Sequence, residues 1–479
     1  MTIPEKHSAL YTDYYQLAMA QGHFLSGNAD RKSTFDYFFR ENPFKGGFVI
    51  FAGLSDFLGI LERFTFDKED IGYLRKLGFQ EDFLRYLSSF RFRGTLNSVR
   101  EGEVVFPLEP LIRVDGNIIE AQIIETVLLN IVNFESLIAT KAARIRMVAP
   151  DKRLVDFGLR RAQGFGGIHA SKAAIIGGVD ATSNVYSAFQ FDLEPSGTQG
   201  HSWIQSFDDE LTSFRKFAEI YPDKCILLVD TYNTLRSGIP NAITVAKELE
   251  LRGHRMAGIR LDSGDLAYLS KRARAMLDEA GLRYVKIAAS NQLDEYIIRS
   301  LLQQGAPIDI FGVGTKLVTG QESAALDGVY KLSMFDKRPR LKFSENYEKT
   351  TLPGIKKTMR YSNRDGVFCA DGVSLMSEST VDEIFHPFVS TKHTPVKEYR
   401  CEHLFAEVMT EGKAVTAGFT PDNCARYAKE RLAKLPEEHK RFEFPHTYKV
   451  GISKEIQDLR SGRIDDLQER YTRHEKDSA

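Results

Sequence analysis

MAGIRLDSGDLAYLSKRARAMLDEAGLRYVKIAASN, residues 256–291, contains one full unit of the pattern that sets the fold. Two short apolar runs, MAGIRL and YVKIAAS, lie on either side of a segment whose apolar residues recur at helical spacing. These residues are Leu266, Leu269, Ala273 and Leu277. Gly281 follows at a position where glycine commonly ends a helix. A strand, a helix and a second strand in this order predict two parallel strands joined by a crossover helix.

The same pattern extends over the middle of the chain, where apolar runs end in Gly, Ser, Thr or Asp. The run ends are LVDFGLRRAQG (154–164), GGVDATSN (177–184), PSGTQGHS (195–202), CILLVDTYNT (225–234), MAGIRLDSGD (256–265), YVKIAASN (284–291) and IDIFGVGT (308–315). Continuous apolar strands are typical of parallel sheets that are buried on both faces. This number of strands favours a closed or nearly closed α/β barrel, with an open sheet as the alternative. In a barrel, the carboxyl ends of the strands carry the chemistry.

The two flanks of this region have a different character. In PLIRVDGNIIEAQII (110–124), apolar runs surround Asp115-Gly116, a dipeptide typical of β-hairpin turns. Residues 324–363 are basic and rich in turn formers, and we expect strands in KRPRLKF and YEKTTLPGIKKTMRY. From about residue 400 the chain becomes charged and predicts helices.

Composition limits the classes of partner. The 479 residues include 64 Lys+Arg and 65 Asp+Glu, so the formal net charge is −1 and predicts neither a nucleic acid nor a membrane as partner. The four cysteines form no CxxC pair, so we expect reduced thiols in a cytoplasmic protein. MTIPEKHSAL lacks the basic and apolar pattern of a secretory signal. Polar residues interrupt AQIIETVLLNIVNFESLIA (121–139), which predicts a buried helix and not a membrane span.

Small and hydroxyl-bearing residues end the last two strands. In FGVGT, Gly312 and Gly314 let backbone N–H groups approach an anion, and Thr315 adds a hydroxyl. A late strand end is a common phosphate site in α/β barrels. Ser290 and Asn291 supply neutral donors one strand earlier. These residues predict a phosphate site, with an ordinary turn as the alternative for FGVGT.

Charged residues end the preceding strand, in RLDSGD. The Arg260 guanidinium suits paired hydrogen bonds to a carboxylate or phosphate, and Asp262 points the same way if the strand continues. Because carboxylates beside phosphates commonly recruit Mg²⁺ or hold sugar hydroxyls, Asp262 is a candidate metal ligand. A plain salt bridge between the two residues is the alternative. We expect Asp265 to cap the following helix.

Aromatic, basic and imidazole groups end other strands. Phe157, Arg160 and Arg161, in DFGLRRAQG, suit a flat anionic ligand, with a core phenylalanine and two surface arginines as the alternative. His201 follows two glycines in SGTQGHSW, and Asp230 ends the next strand. That carboxylate is positioned to hold one ring nitrogen and leave the other as a nucleophile or base; a solvent-facing histidine is the alternative. Together these groups predict phosphoryl or phosphoribosyl chemistry.

The same stretches resemble the nicotinate phosphoribosyltransferase family. The matching segments are TDYYQLAM (12–19), EAQIIETVLLNIVNFESLIATKAARI (120–145), DFGLRRAQG (156–164), GTQGHS (197–202), LLVDTYNT (227–234), GIRLDSGDL (258–266) and DIFGVGTKLVT (309–319). The resemblance implies a ligase-type reaction of nicotinate, phosphoribosyl pyrophosphate, ATP and water. The products would be nicotinate mononucleotide, pyrophosphate, ADP and phosphate, for NAD biosynthesis. It also implies Mg²⁺ and a phosphohistidine intermediate.

The resemblance implies an architecture as well. The family fold is an irregular α/β barrel of the type II phosphoribosyltransferase kind with an α/β sandwich domain built from the flanks, usually as a homodimer. We therefore expect residues 1–145 to form the N-terminal part of the sandwich and residues 146–325 the catalytic barrel. Residues 326–400 would be a β-rich segment returning to the sandwich, and residues 401–479 a C-terminal helical extension.

The matched residues receive roles from the resemblance. It implies that Tyr15, Thr198 and Arg260 contact nicotinate. Tyr15 would stack on a pyridine ring bound mainly by the neighbouring subunit, with Phe157 on the other face of the ring.

Further roles concern the phosphates. The resemblance implies that His201 is the phosphorylated histidine and that Thr315 holds the phosphoribosyl phosphate. Arg160, Asp230 and Asp262 match positions with roles in the same site.

Two other enzymes remain as alternatives. Nicotinamide phosphoribosyltransferases align an aspartate with Ser183, and a carboxylate there would repel nicotinate, so the neutral Ser183 favours the acid substrate. A phosphate-binding barrel with aldolase or isomerase chemistry would need a lysine at a strand end, for which Lys286 is the candidate.

Overall fold

The computed structural model describes residues 6–344, 347–389, 391–415 and 419–477. The chain divides into two compact units: unit 1 contains residues 1–137 and 325–479, and unit 2 contains residues 138–324. The first five residues, part of the stretch that predicts no secretory signal, lie outside the described residues.

The described strands are β1 (Lys32–Phe39), β2 (Val49–Ile50), β3 (Thr95–Ser98), β4 (Val104–Val105), β5 (Ile112–Asn117), β6 (Arg153–Asp156), β7 (Ala181–Thr182), β8 (Ile226–Leu228), β9 (Gly258–Leu261), β10 (Lys286–Ser290), β11 (Ile310–Val313), β12 (Gly328–Phe335), β13 (Arg338–Pro339), β14 (Lys356–Ser362), β15 (Phe368–Leu375), β16 (Glu383–Phe385), β17 (His393–Pro395), β18 (Arg400–His403), β19 (Ala406–Thr410), β20 (Lys413–Ala414) and β21 (Val450–Ile452).

The described α-helices are α1 (Tyr14–Leu25), α2 (Leu54–Leu61), α3 (Lys68–Lys76), α4 (Glu81–Ser88), α5 (Ile118–Ile123), α6 (Glu125–Val148), α7 (Gly166–Ile176), α8 (Val185–Phe191), α9 (His201–Gln205), α10 (Glu210–Ile220), α11 (Ile239–Leu251), α12 (Leu266–Glu279), α13 (Glu295–Gln303), α14 (Thr315–Val318), α15 (Pro421–Lys434) and α16 (Lys454–Asp477).

Unit 2, all of whose residues are described, is built on a six-stranded parallel sheet in the order β7-β6-β11-β10-β9-β8. Helices α11, α12 and α13 connect the strands from β8 to β11 in turn. Asp265 caps α12 by accepting the N–H of Tyr268 at 2.9 Å, as the sequence predicted. The predicted α/β class is therefore confirmed.

The barrel of unit 2 is irregular because it does not close through strands. The edge strands are β7 and β8, and PSGTQGHS forms only an isolated parallel bridge, between Pro195 and Thr182. The expectation of a strand at this run was wrong. Proline has no backbone N–H to donate to a ladder, and the glycines that follow weaken strand formation. The result is an irregular half-barrel.

Unit 1 combines both flanks of the chain in one sheet, as the resemblance implied. Its seven-stranded antiparallel sheet has the order β13-β12-β1-β5-β3-β19-β20, and β1 pairs with β12 from the other flank. A second, mixed sheet has the order β17-β16-β21-β15-β14-β18. The rings of Phe35 and Tyr330 stack with their centres 4.8 Å apart. They belong to a hydrophobic core that also contains residues of helices α2 to α4.

Two expectations for unit 1 were wrong. Asp115 and Gly116 do not form a hairpin turn; they lie inside β5 and pair with Thr34 and Ser33 of β1. Residues 400–414 carry strands β18 to β20, and the α-helices described after residue 400 are α15 and α16.

One helical stretch, 118–148, is long and apolar enough to cross a membrane by composition alone. Of its most apolar window, 67% is buried inside the protein, as in the core helix that the sequence predicted.

Candidate active site

The predicted site residues of unit 2 follow the carboxyl ends of its parallel strands, so they lie along one edge of the sheet. Hydrogen bonds and ring contacts connect several of them into what we call the strand-end cluster. Its members are Phe157, Thr198, His201, Asp230, Thr231, Arg260, Asp262, Ser263 and Ser290.

Arg260 lies at the centre of the cluster. Its Nε donates to Ser290 Oγ at 2.9 Å, and its terminal nitrogens donate to Thr198 Oγ1 at 3.0 Å and Asp262 Oδ1 at 2.8 Å. The guanidinium carbon lies 5.3 Å from the centre of the Phe157 ring. Because arginine has five N–H donors, one on each terminal nitrogen is left for a ligand. Arg260 and Asp262 therefore form the salt bridge that was the alternative to ligand binding. The guanidinium nevertheless keeps two N–H donors for a ligand.

Asp262 is held in the ionised state. Burial by itself would raise the pKa of the Asp262 carboxyl, but hydrogen bonds from Ser290 and Arg260, together with the Arg260 charge, bring it below its usual value. Its Oδ2 lies 3.8 Å from His201 Nε2. The carboxylate thus stands between the guanidinium and the imidazole.

His201 is the first residue of α9, and its side chain is 41% exposed. Its Nδ1 lies 3.1 Å from Thr231 Oγ1. Asp230 does not hold the imidazole, so that expectation was wrong: its Oδ2 accepts the N–H of Asp262 at 2.9 Å and the hydroxyl of Ser263 at 2.6 Å. The sequence analysis missed Thr231, although it directly follows Asp230.

Gly312, inside β11, lies against Phe157. A Cβ placed on Gly312 would be 2.3 Å from Cδ2 of the Phe157 ring, so only glycine fits under this ring. The Phe157 N–H donates to the carbonyl of Val313 at 2.8 Å. Thr315 opens α14 directly after Gly314. The predicted aromatic contact and the predicted phosphate loop are thus neighbours.

Asn291 directly follows β10 and has a left-handed backbone conformation, with φ at 83°. Non-glycine residues seldom adopt this conformation, and where they do it is often at functional sites. The side chain of Asn291 is exposed, whereas Ser290 is buried in the cluster.

Other predicted residues lie apart from the cluster's hydrogen bonds. The N–H of Ser183 donates to the carbonyl of Asp156 at 2.8 Å, and its side chain is half-buried. Arg160 is exposed in the short 3₁₀ turn Leu159–Arg161. Tyr15 belongs to α1 in unit 1, where its side chain is 49% exposed.

Two buried polar residues of unit 2 were missed by the sequence analysis. Asp156 ends β6 and accepts from the N–H of Gly158 at 2.8 Å, and burial raises the pKa of its carboxyl. Gln199 is 6% exposed, and within the described residues neither polar atom of its side chain has a partner. An unpaired buried amide is uncommon and is typical of a site that a ligand or water completes. In the sequence, Gln199 lies between two predicted site residues, Thr198 and His201, and this position could have identified it as a candidate.

Lys286 does not fit the aldolase or isomerase alternative. It is exposed at the amino end of β10, the opposite end from Ser290, and its Nζ lies 3.4 Å from Asp309.

Comparison with known proteins identifies the family of the chain. Family models match the chain in three segments: the nicotinate phosphoribosyltransferase N-terminal domain at residues 10–133, the nicotinate phosphoribosyltransferase family at residues 152–378, and the corresponding C-terminal domain at residues 355–460. The chain is 43% identical to the nicotinate phosphoribosyltransferase of Bacillus subtilis (strain 168), over 96% of both chains. It is 35% identical to that of Caenorhabditis elegans, over 93% of this chain and 92% of the relative.

Solved structures show the same fold. Human nicotinic acid phosphoribosyltransferase superimposes with a TM-score of 0.85 at 30% identity, covering 94% of this chain and 99% of the human chain. A nicotinate-nucleotide pyrophosphorylase from Pyrococcus furiosus shares the fold with a TM-score of 0.71 at 22% identity, over 90% of this chain and 97% of that one. With these matches along almost its whole length, the chain belongs to the nicotinate phosphoribosyltransferase family and transfers a phosphoribosyl group to nicotinate for NAD biosynthesis.

Proposed function

We propose that the strand-end cluster of unit 2 is the site of this reaction and that Arg260 binds the nicotinate carboxylate. The observation that carries the proposal is the set of three hydrogen bonds that fix the guanidinium while leaving one N–H on each terminal nitrogen. That pair suits a carboxylate. Phe157 supplies a ring face for the pyridine, and Tyr15 of a second subunit would supply the other.

The phosphoribosyl end of the site is assigned to the neighbouring strand ends. The backbone N–H groups at Gly312 and Gly314, with the Thr315 hydroxyl, suit the 5-phosphate. Asn291 adds a neutral donor, whereas the Ser290 hydroxyl already donates to Asp262 and so positions that carboxylate. Arg160, which is exposed, would reach the pyrophosphate.

The residues present also fit a Mg²⁺ ion. Asp262 is ionised, and Oδ1 of Asp230 is buried without a partner in the fully described unit 2, which is the state of a carboxylate oxygen that lacks its cation. We propose Asp262 as a ligand, with Asp230 holding the loop that carries it. The ion would neutralise the pyrophosphate that leaves.

The chemistry of ribosyl transfer fits this distribution of groups. The C1–O bond to pyrophosphate breaks through a cation-like sugar, and the nicotinate ring nitrogen donates the electron pair of the new C1–N bond. That nitrogen carries no proton to remove, so no general base is required. The task is to hold two anions together, and positioning of this kind supplies a large share of such a barrier.

We propose that the reaction is coupled to ATP, as a ligase, through phosphorylation of His201. The support is geometric: the imidazole is 41% exposed, lies at the start of α9, and stands beside the Asp262 carboxylate. The bond between the γ-phosphorus and the ADP oxygen breaks as a P–N bond to the imidazole forms. Water later cleaves that bond and releases phosphate.

The test of the coupling is the mass of the intact protein after incubation with ATP and Mg²⁺. We expect one added phosphate that maps to His201 and is absent from His201→Ala. His254, a partly exposed histidine of the same unit, is the matched control, and His254→Ala should still be labelled. Phosphate that persists in His201→Ala, or none in the parent, would remove the coupling role.

The test of substrate choice is a side-by-side assay with nicotinate, nicotinamide and quinolinate, each with and without ATP. We expect turnover of nicotinate and stimulation by ATP, because the neutral Ser183 does not repel a carboxylate. Turnover of nicotinamide alone would contradict the assignment of the site.

A homodimer is also proposed, and exposed apolar side chains in each unit support it. In unit 1, Tyr14 and Tyr15 of α1 are 62% and 49% exposed; in unit 2, Val185 and Phe189 of α8 are 72% and 85% exposed. Apolar side chains clustered at a surface are typical of protein interfaces. Light scattering measures the mass in solution, and the mass of a single chain would contradict the dimer.

We propose a cytoplasmic location. All four cysteines are free thiols, and burial raises the pKa of Cys225 to about 12, so this thiol stays protonated and unreactive.

A further inference from the structure

A groove in unit 1 has the size of a ligand site. Its volume is about 740 Å³, within the range of about 300–1,000 Å³ that small-molecule sites occupy. Its walls come from residues 106–108, from β16 and β17 with the residues next to them, and from residues 446–451. All of these belong to unit 1, whereas the strand-end cluster belongs to unit 2.

The charged side chains that line the groove are Lys392 and Lys449, and no described Asp or Glu lines it. Three histidines, His386, His393 and His446, also line it. Within the described chain, Lys392 and Lys449 take part in no salt bridge, whereas His393 is paired with Glu383. Two lysines that line one cavity and form no salt bridge suit a ligand with more than one negative charge.

The imidazoles add hydrogen-bond capacity to these charges. Nδ1 of His386 accepts the N–H groups of Phe388 and Val389, both at 3.1 Å, which leaves Nε2 available. Burial and then the charge of Lys392 lower the pKa of the His386 imidazole. The Lys392 ammonium is therefore close enough to the ring to act on it electrostatically.

The floor of the groove is apolar and rigid. Phe106 and Tyr448 are buried and stacked with ring centres 3.7 Å apart, and Ile384 is buried beside the groove. Leu108, on the same wall, has φ at 74°. A bulky residue seldom adopts this left-handed conformation, and such strain is concentrated at ligand and active sites.

We propose that this groove binds a small organic phosphate that carries a flat ring and at least two negative charges, such as a nucleoside diphosphate. The ring lies on the apolar floor, and the phosphates lie between Lys392 and Lys449. The site is additional to the one that binds the substrates, and the family activity does not require it.

Photolabelling locates the ligand directly. The probe is 8-azido-ADP, irradiated with the full-length protein and followed by peptide mapping. We expect label on peptides that contain residues 384–389, 391–394 or 446–451, with protection by ADP and much weaker protection by adenosine or pyrophosphate alone. Label confined to the strand ends of unit 2 would overturn the proposal, as would adenosine or pyrophosphate protecting as well as ADP.

Two double variants separate the groove from general charge effects. Lys392→Gln/Lys449→Gln should lower the groove label by about tenfold or more, since both positive charges that would bind the phosphates are removed. Lys413→Gln/Lys429→Gln removes two exposed lysines outside the groove and should leave the label unchanged. Equal labelling of the two variants would refute the proposal that the groove binds the ligand. Nicotinate turnover is measured on both, so that loss of the groove and loss of the active site are distinguished.

Discussion

Substitution of Arg260 by alanine tests the assignment of the nicotinate carboxylate. In the structure the guanidinium donates to Ser290, Thr198 and Asp262 and is 15% exposed, so its remaining donors act away from bulk water. Loss of one partner of a buried charged pair costs roughly 2–5 kcal/mol. At about 1.4 kcal/mol per factor of ten, kcat/KM for nicotinate should fall between about 30-fold and several thousand-fold.

The assay varies each substrate separately. Because phosphoribosyl pyrophosphate is assigned to the Gly312–Thr315 loop, its KM should change much less than that of nicotinate. Arg272→Ala, which removes an exposed arginine of α12 in the same unit, is the matched control and should leave both substrates unaffected. Unchanged kinetics in Arg260→Ala, or equal losses for the two substrates, would refute the reasoning.

Two further predictions concern a close contact and a buried acid. Gly312→Ala should displace the Phe157 ring, since the new Cβ would lie 2.3 Å from Cδ2 of that ring; steady-state kinetics should show a loss in kcat/KM, and full activity would contradict the contact. Glu109 is buried, and burial followed by the Asp371 charge raises the pKa of its carboxyl well above the usual value. The folded protein thus holds this proton more tightly, and its stability declines as pH rises above the ordinary carboxyl pKa towards the raised one. Glu109→Gln should therefore flatten the fall of Tm as the pH rises above the ordinary carboxyl pKa, and an unchanged slope would contradict the assignment.

The alternation of parallel strands and helices in unit 2 followed from periodicity, and its polar strand ends lie along one edge because parallel strands bring their carboxyl ends together. The helix cap at Asp265 was also predictable, since it depends on local hydrogen bonding alone. The predictions that were wrong depend on contacts between residues far apart in the sequence. Asp115-Gly116 favours a turn locally, yet β1 recruits it into β5. The hydrogen-bond partner of His201 depends on the conformations of two loops, which bring the Thr231 hydroxyl to Nδ1 of the imidazole. The spacing of residues in the sequence does not predict such a contact.

The distribution of charge in the strand-end cluster supports the proposed Mg²⁺ ion. Asp230 and Asp262 carry two negative charges, and Arg260 is the one arginine or lysine hydrogen-bonded to them in the fully described unit 2. The cluster by itself would repel a pyrophosphate, whereas the face of Arg260 accepts a single carboxylate. We infer that nicotinate binding depends on the arginine and that phosphoribosyl pyrophosphate binding depends on Mg²⁺ beside Asp262, since only a divalent charge reverses the local sign. Asp262, the carboxylate that fixes the arginine, would therefore also make the second substrate dependent on a metal, with Asp230 holding the backbone of Asp262 in place.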